Sequence, residues 1–168
     1  MEKDIIYSNE FLAIKMINPN YPFLIMKKNG AVTVPYDSEG NIYMLHKDRP
    51  NIGIYYELPR GFVENDEDFV SGAVRELLEE TGMECIKHEY LGEIQPDTGI
   101  ISNKVKAYEM LIDNHKKHYT HYDKADKELV KVVKLTKDEV EKLILNKEIV
   151  CGYTLSALNL FWISEKHK

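Results

Sequence analysis

The sequence predicts an α/β fold, and three observations carry that prediction. Short β-rich runs recur before and after one strongly patterned helical stretch; that stretch keeps its apolar residues on one half of a helical wheel; and two further helical patterns close the chain. The 168 residues are expected to form one domain spanning 1–168. A chain of this length buries about 70% of the surface its unfolded form exposes. Hydrophobic residues make up 43% and charged residues 30%, a balance that excludes a disordered or fibrous chain.

The elements follow in order. Residues 1–28 form an N-terminal strand region, in which the runs FLAIKMI and YPFLIMKK, parted by Asn18, Pro19 and Asn20, predict a β-hairpin. Gly30 to Tyr36 and Ile42 to His46 predict two central strands joined by the polar turn Asp37 to Asn41. Lys47 to Tyr56 is read as a basic loop leading into Glu57-Leu58-Pro59-Arg60-Gly61. From about Asp66 to Thr81 the spacing predicts a helix, with Asn65 or Asp66 as its cap and Gly82 as the left-handed residue beyond its end. Phe69, Val70, Ala73, Val74, Leu77 and Leu78 fall on its core-facing half.

The rest of that helix carries the chemistry. Glu76 and Glu80 stack one turn apart with Glu79 beside them, so three carboxylates form one ridge. Like charges at i and i+4 cost a helix roughly 0.2–0.5 kcal/mol per pair, so the ridge calls for a cation. Carboxylate oxygens suit hard divalent ions, Mg²⁺ above all, which keep their remaining positions for water and substrate phosphate.

Beyond the helix, Cys85 to Ile94 and Lys104 to Ile112 predict strands around a turn at Gln95 to Gly99. Asp113 to Lys127 is polar, and its His115, His118 and His121 lack the flanking ligands of a metal site, so a solvated, mobile segment is expected. Thr136 to Glu139 is a capping box that starts a helix running to about Asn146. A last helix from about Thr154 carries Leu155, Leu158, Phe161 and Trp162 as a packing stripe.

Charge limits the partners. With 22 basic and 28 acidic side chains the net charge is −6, and the lysines are scattered apart from the closing residues, so no nucleic acid is expected as a partner. No stretch suits a signal peptide or a membrane span, so no membrane partner and a cytoplasmic location are expected. Cys85 and Cys151 read as buried or incidental thiols.

Gly61, Glu67, Arg75, Glu76, Leu77, Leu78, Glu79, Glu80, Thr81, Gly82 and Met83 stand at spacings that match the Nudix box at every defined position, and the chain resembles the Nudix hydrolases. The resemblance implies an α/β/α sandwich with a central mixed sheet, whose loop-helix-loop binds divalent metal and cleaves a diphosphate linked to another moiety. It implies the backbone carbonyl of Arg60 with Glu76, Glu79 and Glu80 as metal ligands, Mg²⁺ as the ion and Mn²⁺ as its alternative. Glu79 and Glu128 compete as general base. Arg75 is expected to orient a neighbouring carboxylate through a bidentate pair, and Glu67 to favour the positive end of the helix dipole.

The Arg49-Pro50 step, the following aromatics and the E-L-P-x-G approach resemble the branch that hydrolyses ADP-ribose and other nucleoside diphosphate sugars. Arg49 is then expected at a phosphate, Tyr55 or Tyr56 on a base, and Glu57 beside the metal network and the substrate. In that branch the N-terminal strands often take part in a dimer, so a homodimer is expected. Pro96 lies 13 residues beyond Met83, closer than the proline typical of ADP-ribose hydrolases, and leaves ADP-ribose the leading candidate among small-molecule nucleotide substrates. The products would be a nucleoside monophosphate and a sugar phosphate. Two alternatives stand beside this reading: a hydrolase of dinucleotide polyphosphates, NADH or oxidised nucleoside triphosphates, and a non-catalytic sensor of nucleotide sugars that regulates a partner.

Overall fold

The computed structural model describes the backbone of residues 4–49, 52–113, 121–123 and 128–167, and the side chains of 4–49, 52–113 and 131–167. In chain order the elements are β1 (Ile5–Ser8), β2 (Leu12–Asn18), β3 (Tyr21–Met26), β4 (Gly30–Tyr36), β5 (Ile42–Arg49), β6 (Gly53–Glu57), β7 (Arg60–Phe62) and α1 (Phe69–Thr81). There follow β8 (Cys85–Ile94), β9 (Ile101–Ser102), β10 (Val105–Ile112), β11 (His121–Asp123), β12 (Glu128–Leu135), α2 (Lys137–Leu145) and α3 (Gly152–Glu165).

The main sheet runs β11-β12-β5-β4-β10-β8, with β6 added to β5 and β7 to β4. The β4–β10 pair is parallel and the others antiparallel, which makes the sheet mixed. Alternation along each strand divides its side chains between two faces. On one face Val32, Val34, Ile42, Met44 and Ala107 pack with Val140, Leu158 and Phe161 of α2 and α3. On the other, Ala31, Tyr43, Met110 and Ile112 pack with Ala73 and Leu77 of α1. Helices therefore cover both faces of the sheet in an α/β/α sandwich. No helix among the described residues is long and apolar enough to cross a membrane.

The N-terminal hairpin of β2 and β3 belongs to a second, four-stranded sheet in the order β1-β2-β3-β9. Its last member comes from the segment between β8 and β10 and runs parallel to β3, with Leu24 opposite Ile101. The Leu24 N–H donates to the Ile100 carbonyl at 2.8 Å, and the Tyr21 hydroxyl donates to the Gly99 carbonyl.

Three local expectations need correction. The helix starts later than predicted, capped by Asp68, whose carboxylate accepts from the Ser71 N–H at 2.8 Å; Gly82 does take the left-handed conformation, with φ 70°. Leu78 is 48% exposed and lies outside the core half of the wheel. Most of the basic loop is sheet: β5 continues to Arg49 and β6 folds back on it, placing Lys47 opposite Tyr55 and Arg49 opposite Gly53. Alternating charged residues hid a strand whose two faces meet very different surroundings. The histidine segment lies largely outside the described residues.

Candidate functional site

Three backbone anchors position the approach to α1. The Leu58 N–H donates to Thr154 Oγ1 on α3 at 3.1 Å, the Thr33 N–H donates to the Pro59 carbonyl at 2.9 Å, and the Arg60 N–H donates to Glu80 Oε2 at 2.9 Å. β7 is thus tied at once to the far helix layer, to β4 and to the acidic helix. Behind α1, Ala73 and Leu77 are fully buried and fix its rotation, so Glu76 turns toward Gly61 and Glu80 toward the Arg60 N–H of β7, with Glu79 beside them. They line a cleft of about 1050 Å³, whose opposite wall is Phe11, Leu24 and Met26 of the N-terminal sheet.

Cations of the chain already balance these carboxylates. Lys47, with its side chain only 5% exposed, pairs with Glu80 Oε1. Arg75 binds Glu67 through a fork, Nε to Oε1 at 2.7 Å and Nη2 to Oε2 at 3.0 Å, and its Nη2 also donates to the Phe62 carbonyl at 2.9 Å. Its Nη1 donates to Glu76 Oε1 at 2.9 Å and to Glu79 Oε2 at 3.0 Å. These carboxylates, Glu67 foremost, hold the guanidinium above its ordinary pKa, and Arg75 in turn depresses Glu67. Arg49 pairs with Glu57 at 2.7 Å, and Arg60 lies 3.6 Å from the same oxygen. Burial pushes the Glu57 carboxyl up, but Arg49, Arg60 and Lys47 outweigh it and hold it below the usual range.

Glu76 and Glu80 stand the other way. Burial raises both, more than Arg75 lowers the first and Lys47 the second. Desolvation thus outweighs the paired cation at both of these carboxylates.

A model of the NUDIX domain matches residues 26–148. The chain belongs to the Nudix family. It is also similar to the methanol dehydrogenase activator of Bacillus methanolicus, with 32% identity over 148 residues, which cover 86% of this chain and 79% of that protein.

The Nudix box is the segment from Gly61 through α1 to Met83, and its first residue, Gly61, is packed against Glu76. A Cβ on Gly61 would fall inside the Glu76 carboxyl group, so only glycine lets β7 pass this close to the acidic ridge. The donor set fits a hard divalent cation: three carboxylates at the helix end, beside a glycine that leaves the Glu76 oxygens room. Among the described residues no three such groups converge into a ready-made cage. Binding of an ion to Glu76, Glu79 and Glu80 must therefore draw side chains away from their present partners.

Of the residues predicted from sequence, Arg49, Arg60, Arg75, Glu76, Glu79 and Glu80 meet in the cleft. Glu57 stands behind its wall, joined to it through Arg49 and Arg60. Tyr55 is not among the lining residues; its ring packs over Gly53. Tyr56 stacks on His46 at 4.5 Å and packs against the core on the α3 side. The Glu128 side chain lies outside the described residues. Sequence reasoning missed Lys47, Lys28, Phe11, Phe62 and Tyr153, all of which line the Nudix cleft. Phe11 stacks on Phe62 at 5.9 Å with the Lys28 ammonium 5.2 Å and 5.8 Å from the two rings, and Arg60 lies 5.3 Å over Tyr153. Lys47 had a usable signal, since it stands two positions before Arg49 in a strand that puts both on one face.

Proposed function

We propose that the chain is a divalent-metal-dependent pyrophosphohydrolase that cleaves a nucleoside diphosphate linked to another moiety, with ADP-ribose or a related nucleotide sugar as substrate. The observation that carries this reading is the meeting of Glu76, Glu79 and Glu80 with Lys47, Arg49 and Arg60 in one cleft. A diphosphate brings negative charge that repels a nucleophile, and this cleft offers side-chain cations on one side and carboxylates for metal on the other. Mg²⁺, held by Glu76, Glu79, Glu80 and the Arg60 carbonyl, would supply neutralisation of the phosphate oxygens.

The chain's own residues do the rest. Arg60 and Lys47 hold non-bridging oxygens, and Arg75 keeps the glutamates aligned from behind through its fork to Glu67. Water adds to one phosphorus, the bond from that phosphorus to the bridging oxygen breaks, and a nucleoside monophosphate and a sugar phosphate leave. Glu79 takes the proton from the water in this reading; its carboxylate is 58% exposed and reachable by water. Glu128 is the alternative base.

The test is metal-dependent product release from ADP-ribose, other nucleoside diphosphate sugars, NADH, dinucleotide polyphosphates and nucleoside triphosphates. Glu80→Gln is expected to lose about 10³-fold or more in kcat while keeping its circular dichroism. Near-normal turnover in that variant would sink the metal assignment, and preference for another group would move the substrate. A second reading is favoured by the name of the Bacillus methanolicus methanol dehydrogenase activator: the chain activates a dehydrogenase partner. Addition of the chain to a methanol dehydrogenase, with Glu80→Gln as control, separates activation through hydrolysis from activation by binding alone.

A further inference from the structure

We propose that Lys47 is a resident stand-in for the cation of the carboxylate ridge, holding Glu80 in the metal-free protein and turning to the substrate diphosphate when an ion enters. The inference rests on the metal-dependent reading above. Both oxygens of Glu80 are taken by donors of the chain itself, Oε1 by the Lys47 ammonium and Oε2 by the Arg60 N–H. A divalent ion that uses Glu80 must replace at least one of them.

The two donors differ in what can move. The Arg60 N–H belongs to β7, whose backbone is in register with β4, Val32 opposite Arg60 and Ala31 opposite Gly61. Lys47 ends on four methylenes and can swing without disturbing β5. Its rivals are fixed more firmly: Arg75 is forked onto Glu67 and tied to the Phe62 carbonyl, and Arg49 is engaged with Glu57 through two nitrogens. An ion seated on Glu80 repels the ammonium directly, and the space open to Lys47 is the cleft that it already lines. There the nearest acceptors in the loaded state are phosphate oxygens. One residue thus keeps a buried carboxylate compensated in the resting protein and adds a phosphate ligand in the working one.

Mn²⁺ binding to the full chain without substrate, followed by calorimetry and by the electron paramagnetic resonance of free Mn²⁺, tests this. Lys47→Met is expected to bind Mn²⁺ at least about tenfold more tightly than the unchanged protein, because no ammonium competes for Glu80. Its melting temperature should be lower without metal and rise further on Mn²⁺ addition, and its KM for the preferred diphosphate should increase. Lys47→Arg, which keeps the charge, should stay within a few-fold of the parent in Mn²⁺ affinity. Equal or weaker binding by Lys47→Met would overturn the role of Lys47 while leaving the metal reading intact. Absence of Mn²⁺ binding in the parent would overturn both. If Lys47→Met fails to fold by circular dichroism, the same comparison with the neutral, polar Lys47→Gln decides.

Discussion

Gly61 shows how much a single position can hold. Its missing side chain is the space in which the Glu76 carboxyl group sits, so Gly61→Ala must push that carboxylate aside. The displaced group is the far end of a flexible side chain, and stability should change by no more than about 1 kcal/mol. Catalysis has no such tolerance, since a misplacement of about 1 Å can cost some 10²-fold in rate. Gly61→Ala is therefore expected to fall at least about 10²-fold in kcat with a nearly unchanged urea midpoint; a variant that lost both together would argue against a local effect. At this scale the sequence was informative where spacing carries meaning. Glu76, Glu79 and Glu80 stand on one helix at i, i+3 and i+4, and any helical reading brings them together. Phe11 and Lys28 reach the same cleft from the two ends of the N-terminal hairpin and Tyr153 from a distant helix, and no local pattern joins residues so far apart in the chain.

Among the elements, α2 is the one whose start was most plainly written. The Thr136 N–H donates to Glu139 Oε2 at 2.7 Å, and the Glu139 N–H donates to Thr136 Oγ1 at 3.3 Å, which closes the reciprocal box. Thr136→Ala removes one half of it and should cost about 1 kcal/mol, read from the urea midpoint, with catalysis unaffected. The strands were less evenly legible. β4 and β8 have the predicted bounds because their apolar runs end in turn residues. β6 was hidden because Gly53 and exposed Ile54 break the alternation, and its pairing with β5 is what supports it. β9 is two residues long and exists by virtue of β3, a dependence that no window of sequence contains.

For the molecule as a whole, acid stability depends on a group far from the cleft. Asp37, in the turn between β4 and β5, accepts from the Glu39 and Asn41 N–H groups at 3.0 and 2.9 Å and from the Tyr43 hydroxyl at 3.1 Å, and Lys134 of β12 lies 2.9 Å away. Burial raises its carboxyl, but Lys134, Asn41 and Tyr43 prevail and bring it from 3.8 down to about 2. A folded-state pKa below the unfolded one gives stability that is complete above the unfolded value and is lost as pH falls through the folded one. The urea midpoint should therefore drop between pH 4 and pH 2, by an amount worth roughly 1–2 kcal/mol. Asp37→Asn should be less stable near neutrality and should show a shallower loss over that window; an unchanged slope would remove Asp37 from the account.

The parallel strand β9 also sets an order of events. During synthesis β1, β2 and β3 leave the ribosome first, yet the residue that completes their sheet, Ser102, follows the whole acidic helix and β8. Until then β3 presents an unpaired edge with apolar neighbours, a template for the wrong chain. The ridge of glutamates is thus made before the wall that faces it can close.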